Sequence, residues 1–393
     1  MDFTFTEEQQ AAVEAARAVF SDVAPDRAPS PALTPGAVAE DIDRQLWHEL
    51  ARTDLLGLTL SPDHGGAGLD PIALCLVLRE SAKVLARVPL LESCAVAMAL
   101  QRYGDRTLAA ELLPRAGRGE LILTVGANGR SGHDPAELAV SARPYGAGDG
   151  ADEGKTDGSA GDSGWVLDGV QSAVPWAQVA DRIAVPAHTD GGHPVLALVP
   201  RTRDGVTLAE QVSTNGERLA EVRLDAVRVE ARELIDAAGC WDWLRSLLTT
   251  GTCALALGLG ERVLAMTAEY TGKREQFGFP VATFQAVAVQ AADRYIDLRA
   301  MEATLWQAAW RISTDAGGPL PAAGDVAVAK IWASDGVRRV VQTAQHLHGG
   351  FGADTDYPLH RYHAWAKQIE LTLGPAAAHE EALGDLLAAH PLG

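Results

Sequence analysis

Apolar residues recur at helical spacing over the first third of the chain, then in short β-like runs, then at helical spacing again to the end. Thr6 reads as a hydroxyl N-cap: Glu7 and Glu8 follow in the first turn, where carboxylates favour the helix dipole, and Val13, Ala16 and Phe20 share a face. A proline-rich stretch, Pro25 to Pro35, separates this helix from a second that carries Ile42, Leu46, Trp47 and Leu50 on one face. The glycines of Ser61 to Pro71 predict a loop, and the run Ile72 to Leu85 predicts a buried helix. Near residue 120 the texture changes. Short runs (LILTV, WVLDG, DRIAVPA, PVLALVP, AEVRL, VRVE) separated by Gly, Pro, Asp and Asn predict an all-β unit. Inside it, Pro144 to Gly164 is acidic, glycine-rich and almost without apolar residues, which predicts a flexible hairpin insertion. From Cys240 the helical period returns in four segments, roughly 240–270, 283–315, 321–350 and 361–389. The expected fold class is therefore α+β: an N-terminal all-α domain (1–119), a middle β-barrel or sandwich domain (120–230, with the insertion at 144–164) and a C-terminal four-helix bundle (231–393).

No strand alternates with a helix, and no G-x-G-x-x-G stands between a strand and a helix, so a dinucleotide fold is not expected. The glycines near 258–260 lie inside a helical pattern, where close packing explains them. Length and charge narrow the classes further. A chain of 393 residues can bury about three quarters of its unfolded surface without staples. With 33 Lys plus Arg against 52 Asp plus Glu, net −19, it has no basic footprint for nucleic acid or an anionic membrane. Cys75, Cys94, Cys240 and Cys253 show no C-x-x-C spacing and are expected as reduced core thiols. An acidic, polar start (MDFTFTEEQQ) and a longest apolar run of only Cys253 to Gly260 lead to the expectation of a soluble cytoplasmic protein.

Two separated motifs then carry chemistry. Ala268 to Ala292 (AEYTGKREQFGFPVATFQAVAVQAA) joins a helix end, an Arg-x-x-Phe-Gly turn and a Phe-Gln pair, and His346 to Tyr362 reads HLHGGFGADTDYPLHRY. Together with Gly57 to Gly68 and the α, β, α order, they resemble the acyl-CoA dehydrogenase family along the whole chain. The resemblance implies a flavoprotein acting on Cα and Cβ of an acyl-CoA thioester. A carboxylate takes the α-proton and FAD accepts the β-hydrogen, with the FAD shared across a subunit interface.

Carried over residue by residue, the half of the FAD site that faces a neighbouring subunit looks intact. Arg274, Gln276 and Phe277 match the Arg-x-x-Phe segment: a guanidinium suits a pyrophosphate and an aromatic edge suits an adenine or ribityl face. Gln285 matches a cofactor-contacting Gln, Gly349 and Gly350 allow backbone approach to phosphate, and His346 stands where the family usually has Gln. Read alone, Arg274 is also a plain helix-end charge and the Gly pair a plain turn.

The self-facing half does not match. LTVGANGRSGHD (Leu123 to Asp134) lacks the family's Glu, and Ala173, Val174 and Pro175 replace its Trp-Ile-Thr run, leaving no ring and, at proline, no N–H. Leu373 and Leu248 occupy the two positions where relatives place the base. Glu370, one turn away, is expected to be solvated, and the histidines 346, 348, 360 and 363 are not expected to hold a metal. The pattern resembles the base-less subunit of bacterial heterotetrameric steroid side-chain acyl-CoA dehydrogenases. It implies FAD as cofactor, acyl-CoA as substrate and a homologous subunit carrying the base as partner. The rivals are a self-sufficient homo-oligomer using Asp242, Glu370 or a water as base, a flavin-dependent oxygenase, and an assembly module without flavin.

Overall fold

The computed structural model describes residues 4–40, 42–131, 137–145 and 164–391. Most of the expected insertion, 146–163, lies outside the described residues. The first helical unit comprises α1 (Glu7–Phe20), α2 (Arg44–Arg52), α3 (Pro71–Ala82), α4 (Leu90–Tyr103) and α5 (Arg106–Gly117). Thr6 caps α1 in a full capping box with Gln9, while Asp43, Asp70 and Asp105 cap α2, α3 and α5 by accepting from backbone N–H groups.

Strands β1 (Leu123–Val125), β2 (Val140–Tyr145), β3 (Gly164–Pro175), β4 (Arg182–His188), β5 (Pro194–Pro200), β6 (Val206–Val212), β7 (Arg218–Glu230) and β8 (Leu234–Ile235) form one sheet. Its order is β6-β7-β3-β2-β4-β5-β8, with β1 parallel to β4. Two details differ from the sequence reading. AEVRL and VRVE belong to one strand, β7, which bulges against β3; and β6, whose residues are mostly exposed, gave too little apolar alternation to be picked out.

The C-terminal unit is built on α6 (Cys240–Lys273), followed by the two-strand hairpin β9 (Glu275–Gln276) and β10 (Phe279–Pro280), then α7 (Gln285–Thr314), α8 (Ala322–His348), α9 (Leu359–Leu371) and α10 (Ala376–Ala389). The segment expected as one helix over 361–389 is thus two. Leu373 and Gly374 take positive φ (58° and 99°), and Pro375 follows at the N-cap of α10. Left-handed backbone and a residue without an N–H end a helix regardless of its apolar pattern.

One apolar core runs from α1 through the first unit and the inner edge of the sheet to α9, while a second lies within the sheet. The helix at the centre of the first core is α6. It is long and apolar enough to cross a membrane by length and composition, but 78% of its most apolar window is buried inside the protein. The four cysteines are buried and free. Gly258 lets α6 approach α3 closely: a Cβ there would overlap the Arg79 carbonyl oxygen. The Arg79 side chain bonds both Glu261 on α6 and Glu302 on α7, fastening the first unit to the bundle. Gly258→Ala is expected to destabilise the chain by about 1–3 kcal/mol through overpacking, read as a lower midpoint in urea unfolding.

Candidate cofactor and substrate sites

A cavity of about 390 Å³ lies where the first helical unit, the sheet and the bundle meet. Leu248 reaches it from α6 and Leu373 from the turn between α9 and α10, beside Pro375. The two positions singled out separately in the sequence therefore line one space, and both are hydrocarbon. His379 Nε2 bonds the Leu373 carbonyl at 2.8 Å, which helps to hold that turn. Burial pushes the His379 pKa down to about 4, so the ring stays neutral and donates.

The sheet side of the cavity is formed by Val125, Ala127, Asn128, Ala173, Pro175 and Trp176. Its polar groups bond one another. The Ala173 N–H donates to Gln211 Oε1 (2.8 Å), Thr124 Oγ1 donates to the Pro175 carbonyl (2.6 Å), and the Gly129 N–H donates to Gln171 Oε1 (2.9 Å). Glu137, the carboxylate after this loop, accepts from the N–H groups of Arg130 and Ser131, which hold it below the usual carboxylate range.

Neither carboxylate named as a rival base reaches the cavity lining. Asp242 is exposed at the start of α6. Glu370, expected to be solvated, is instead mostly buried: it pairs with Lys367 at 3.1 Å and Arg338 at 3.9 Å, because α9 packs on α8. Two carboxyls do line the cavity: Glu217, which is paired with Arg87, and Glu92, in the first turn of α4 and without an ion-pair partner among the described residues. Burial raises its pKa to about 7 although the Trp176 indole donates to it. In the sequence Glu92 looks like an ordinary first-turn carboxylate serving the helix dipole; only tertiary packing reveals it. Among the described residues, no group of three or more His, Cys, Asp or Glu could hold a metal ion.

The second region is a surface. Arg274 ends α6, and Gln276 and Phe277 lead into a two-residue hairpin turn. Phe277 and Gly278 both have positive φ (55° and 82°), as a type I′ turn requires, and Phe277 is 91% exposed. Gln285 opens α7 and is exposed, as are His346, Gly349 and Gly350. Gly349 has φ 58° and ψ −139°, a backbone closed to residues with a Cβ, and nothing lies within 4 Å of where a Cβ would sit on it or on Gly350.

An aromatic stack joins the two motifs. Tyr270, one turn before Arg274, lies on His348 (4.4 Å between ring centres) and on Phe351 (5.1 Å). His348 bonds the Ala344 carbonyl through Nδ1 (2.8 Å) and the Tyr357 hydroxyl through Nε2 (3.1 Å), so it supports the glycine loop from beneath. His360 instead bonds Ser30 Oγ at 2.7 Å, and the four histidines do not converge.

Residues 6–120 match the acyl-CoA dehydrogenase N-terminal domain and residues 248–387 match the C-terminal domain. Acyl-CoA dehydrogenase FadE27 of Mycobacterium tuberculosis is 36% identical over 354 residues, 89% of either chain.

The chain belongs to the acyl-CoA dehydrogenase family.

Among solved structures of the family, the ChsE4–ChsE5 complex of Mycobacterium tuberculosis superposes with a TM-score of 0.87 at 35% identity, covering 100% of both chains. A variant of the Tcur3481–Tcur3483 steroid acyl-CoA dehydrogenase gives 0.84 at 37% identity, covering 98% of both. Members of the family are oxidoreductases acting on the CH–CH bond of acyl-CoA, and this chain has their N-terminal helices, middle sheet and C-terminal helices.

Glu92 gives a pH test. Its folded pKa lies above the ordinary carboxylate value of 4.5, so its contribution to stability is complete below about pH 4.5 and is lost as pH rises through about 7. The stability of the native chain relative to Glu92→Gln is expected to fall by about 1–3 kcal/mol between pH 4.5 and 8, measured by urea unfolding at each pH.

Proposed function

We propose that this chain is the non-catalytic subunit of a heteromeric acyl-CoA dehydrogenase, completing the FAD site of a homologous partner that carries the base. The observation that carries the reading is the contrast between the two regions. Leu248 and Leu373 line the chain's own cavity with hydrocarbon, whereas Arg274, Phe277, Gly349 and Gly350 stand open on the surface. From Leu248 to Arg274 is 26 residues of one continuous helix, about 39 Å at 1.5 Å per residue, so the cavity and the exposed motif are well separated. An apolar face adjoins the motif: Phe279 and Phe284, then Val289 and Ile296 along α7, are exposed among the described residues.

FAD, when bound, supplies the acceptor for the β-hydrogen of the acyl thioester. On the exposed surface the residues fit it. Arg274 offers a forked donor to the pyrophosphate, Gln276, Gln285 and His346 offer hydrogen bonds, Phe277 offers an aromatic face, and Gly349 and Gly350 leave room for the backbone to meet phosphate. In the chain's own cavity the residues do not fit it: the Ala173 N–H and the Thr124 hydroxyl are already paired, Pro175 has no N–H, and neither Leu248 nor Leu373 can accept a proton. The base therefore belongs to the partner subunit. The likeness to a steroid acyl-CoA dehydrogenase supports a bulky, ring-bearing acyl-CoA as substrate.

A carboxyl with a pKa of about 7 inside the cavity favours one rival, a self-sufficient enzyme using Glu92 as base. Activity decides between the two. The chain purified alone is expected to show no flavin absorbance near 450 nm and no oxidation of acyl-CoA with an artificial acceptor, and Leu373→Glu is expected not to create any. Turnover by the lone chain, abolished by Glu92→Gln, would establish the rival instead.

Binding in trans gives the more specific test. Loss of a charged hydrogen bond in Arg274→Ala is expected to weaken FAD binding in the co-purified complex about ten- to a hundred-and-fifty-fold while the subunits stay assembled. Arg274→Lys should recover part of this, keeping charge without the fork. Flavin content by absorbance, read against subunit ratio by gel filtration, checks both; unchanged FAD occupancy in Arg274→Ala would reduce the motif to a helix terminus.

A further inference from the structure

We propose that the base-less cavity is itself a binding site, taking a neutral apolar molecule with one hydrogen-bond acceptor, of the ketone or ester class, which Glu92 recognises as the donor and which this chain does not turn over. The inference concerns the chain's own cavity and does not depend on FAD being shared with a partner.

Size and lining come first. About 390 Å³ falls in the range of small-molecule pockets, about 300–1,000 Å³, and the walls are largely hydrocarbon, with Leu78, Leu90, Leu248, Leu255 and Leu373 among them. Three lining residues are charged types: Glu92, Glu217 and Arg218. Glu217 bonds Arg87 at 2.7 Å and Arg218 lies 3.5 Å from Glu210, so the sheet-side turn arrives with its charges paired. Glu92 has no ion-pair partner among the described residues. The side chains that α6 and α9 contribute are uncharged, Leu248, Thr252, Trp365 and Gln368 among them; on its own helix, Cys94 is kept neutral by burial, its pKa pushed up to about 12.

Hydrogen-bond chemistry then fixes the ligand's polar end. The Glu92 backbone N–H and the Trp176 indole can only donate, so they occupy acceptor positions of the Glu92 carboxyl and cannot take its proton. Below about pH 7 Glu92 carries that proton, and an acceptor on the ligand would receive it. Among the described residues an anion would find no free cation beside Glu92, and a cation would have to be desolvated among leucines. A neutral molecule with a carbonyl meets both conditions. It would persist unchanged while Glu92 holds its proton, because Leu248 and Leu373 cannot remove one from it.

The test is a fluorescence titration of the purified full-length chain with Prodan, a neutral naphthyl ketone whose emission shifts blue in apolar surroundings. At pH 5.5 one saturable site per chain is expected. Affinity should drop at pH 8.5, where Glu92 is an anion facing a carbonyl. Glu92→Gln, which keeps an N–H donor at every pH, should abolish the difference between the two pH values, and Glu92→Leu should weaken binding at pH 5.5 about two- to tenfold. Thr252→Phe, which fills the cavity from α6, should abolish binding, and 2-naphthoate should compete poorly at either pH. Absence of saturable binding, binding that survives Thr252→Phe, or a pH dependence unchanged in Glu92→Gln would overturn the proposal. Arg274→Ala should leave the titration unaltered, so failure of FAD sharing and failure of this site are read separately.

Discussion

The packing of α6 through the middle of the molecule is the constraint on which the rest depends. Its contact with α3 at Gly258 and its ion pairs to Arg79 lock the first helical unit to the bundle, so the walls of the cavity, drawn from both units and the sheet, hold their spacing. The same helix that offers Leu248 to the cavity ends at Arg274 on the surface. A rigid rod with an apolar residue near one end and a guanidinium at the other assigns the two regions different tasks: one interior and dry, one exposed and charged.

What distinguishes this cavity is chemistry removed more than space removed. Leu373 keeps a left-handed backbone between α9 and α10, a conformation costing a non-glycine residue roughly 1–2 kcal/mol, and the His379 bond to its carbonyl helps to maintain it. The turn is preserved while its side chain is inert. On the sheet side the Ala173 N–H, the Thr124 hydroxyl and the Gly129 N–H are held by partners within the sheet unit, which stabilises that wall. The largely hydrocarbon walls also desolvate Glu92, which raises its pKa.

Much of this could be read from the sequence because it is local. Helix caps at Thr6, a change from helical to short β-like runs near residue 120, and the Arg274 to Phe277 turn all have signatures within a few residues, and the structure shows α, then β, then α elements in that order. What escaped depends on long-range packing. Strand β6 is mostly exposed and so lacks a one-sided apolar pattern; α9 and α10 look continuous because their apolar pattern runs across the break, although Gly374 and Pro375 mark it in hindsight. Glu370 is expected to be solvated from its helix position but is covered by α8, and Glu92, which no motif in the sequence singles out, lines the cavity beside Trp176. The roles of Leu248 and Leu373 came from resemblance; their meeting in one cavity came only from the fold.

The hairpin at Phe277 has a consequence for how a subunit would dock. An aromatic ring on a flexible loop must be ordered when a partner arrives, and that ordering subtracts from affinity. Here the type I′ backbone is fixed at folding by the β9–β10 pairing, and the ring has only two side-chain torsions left to settle. The entropic cost is met before encounter. Changes to this hairpin would therefore act mainly on how long an assembled partner stays, leaving the frequency of productive collisions to the net charge of the two surfaces.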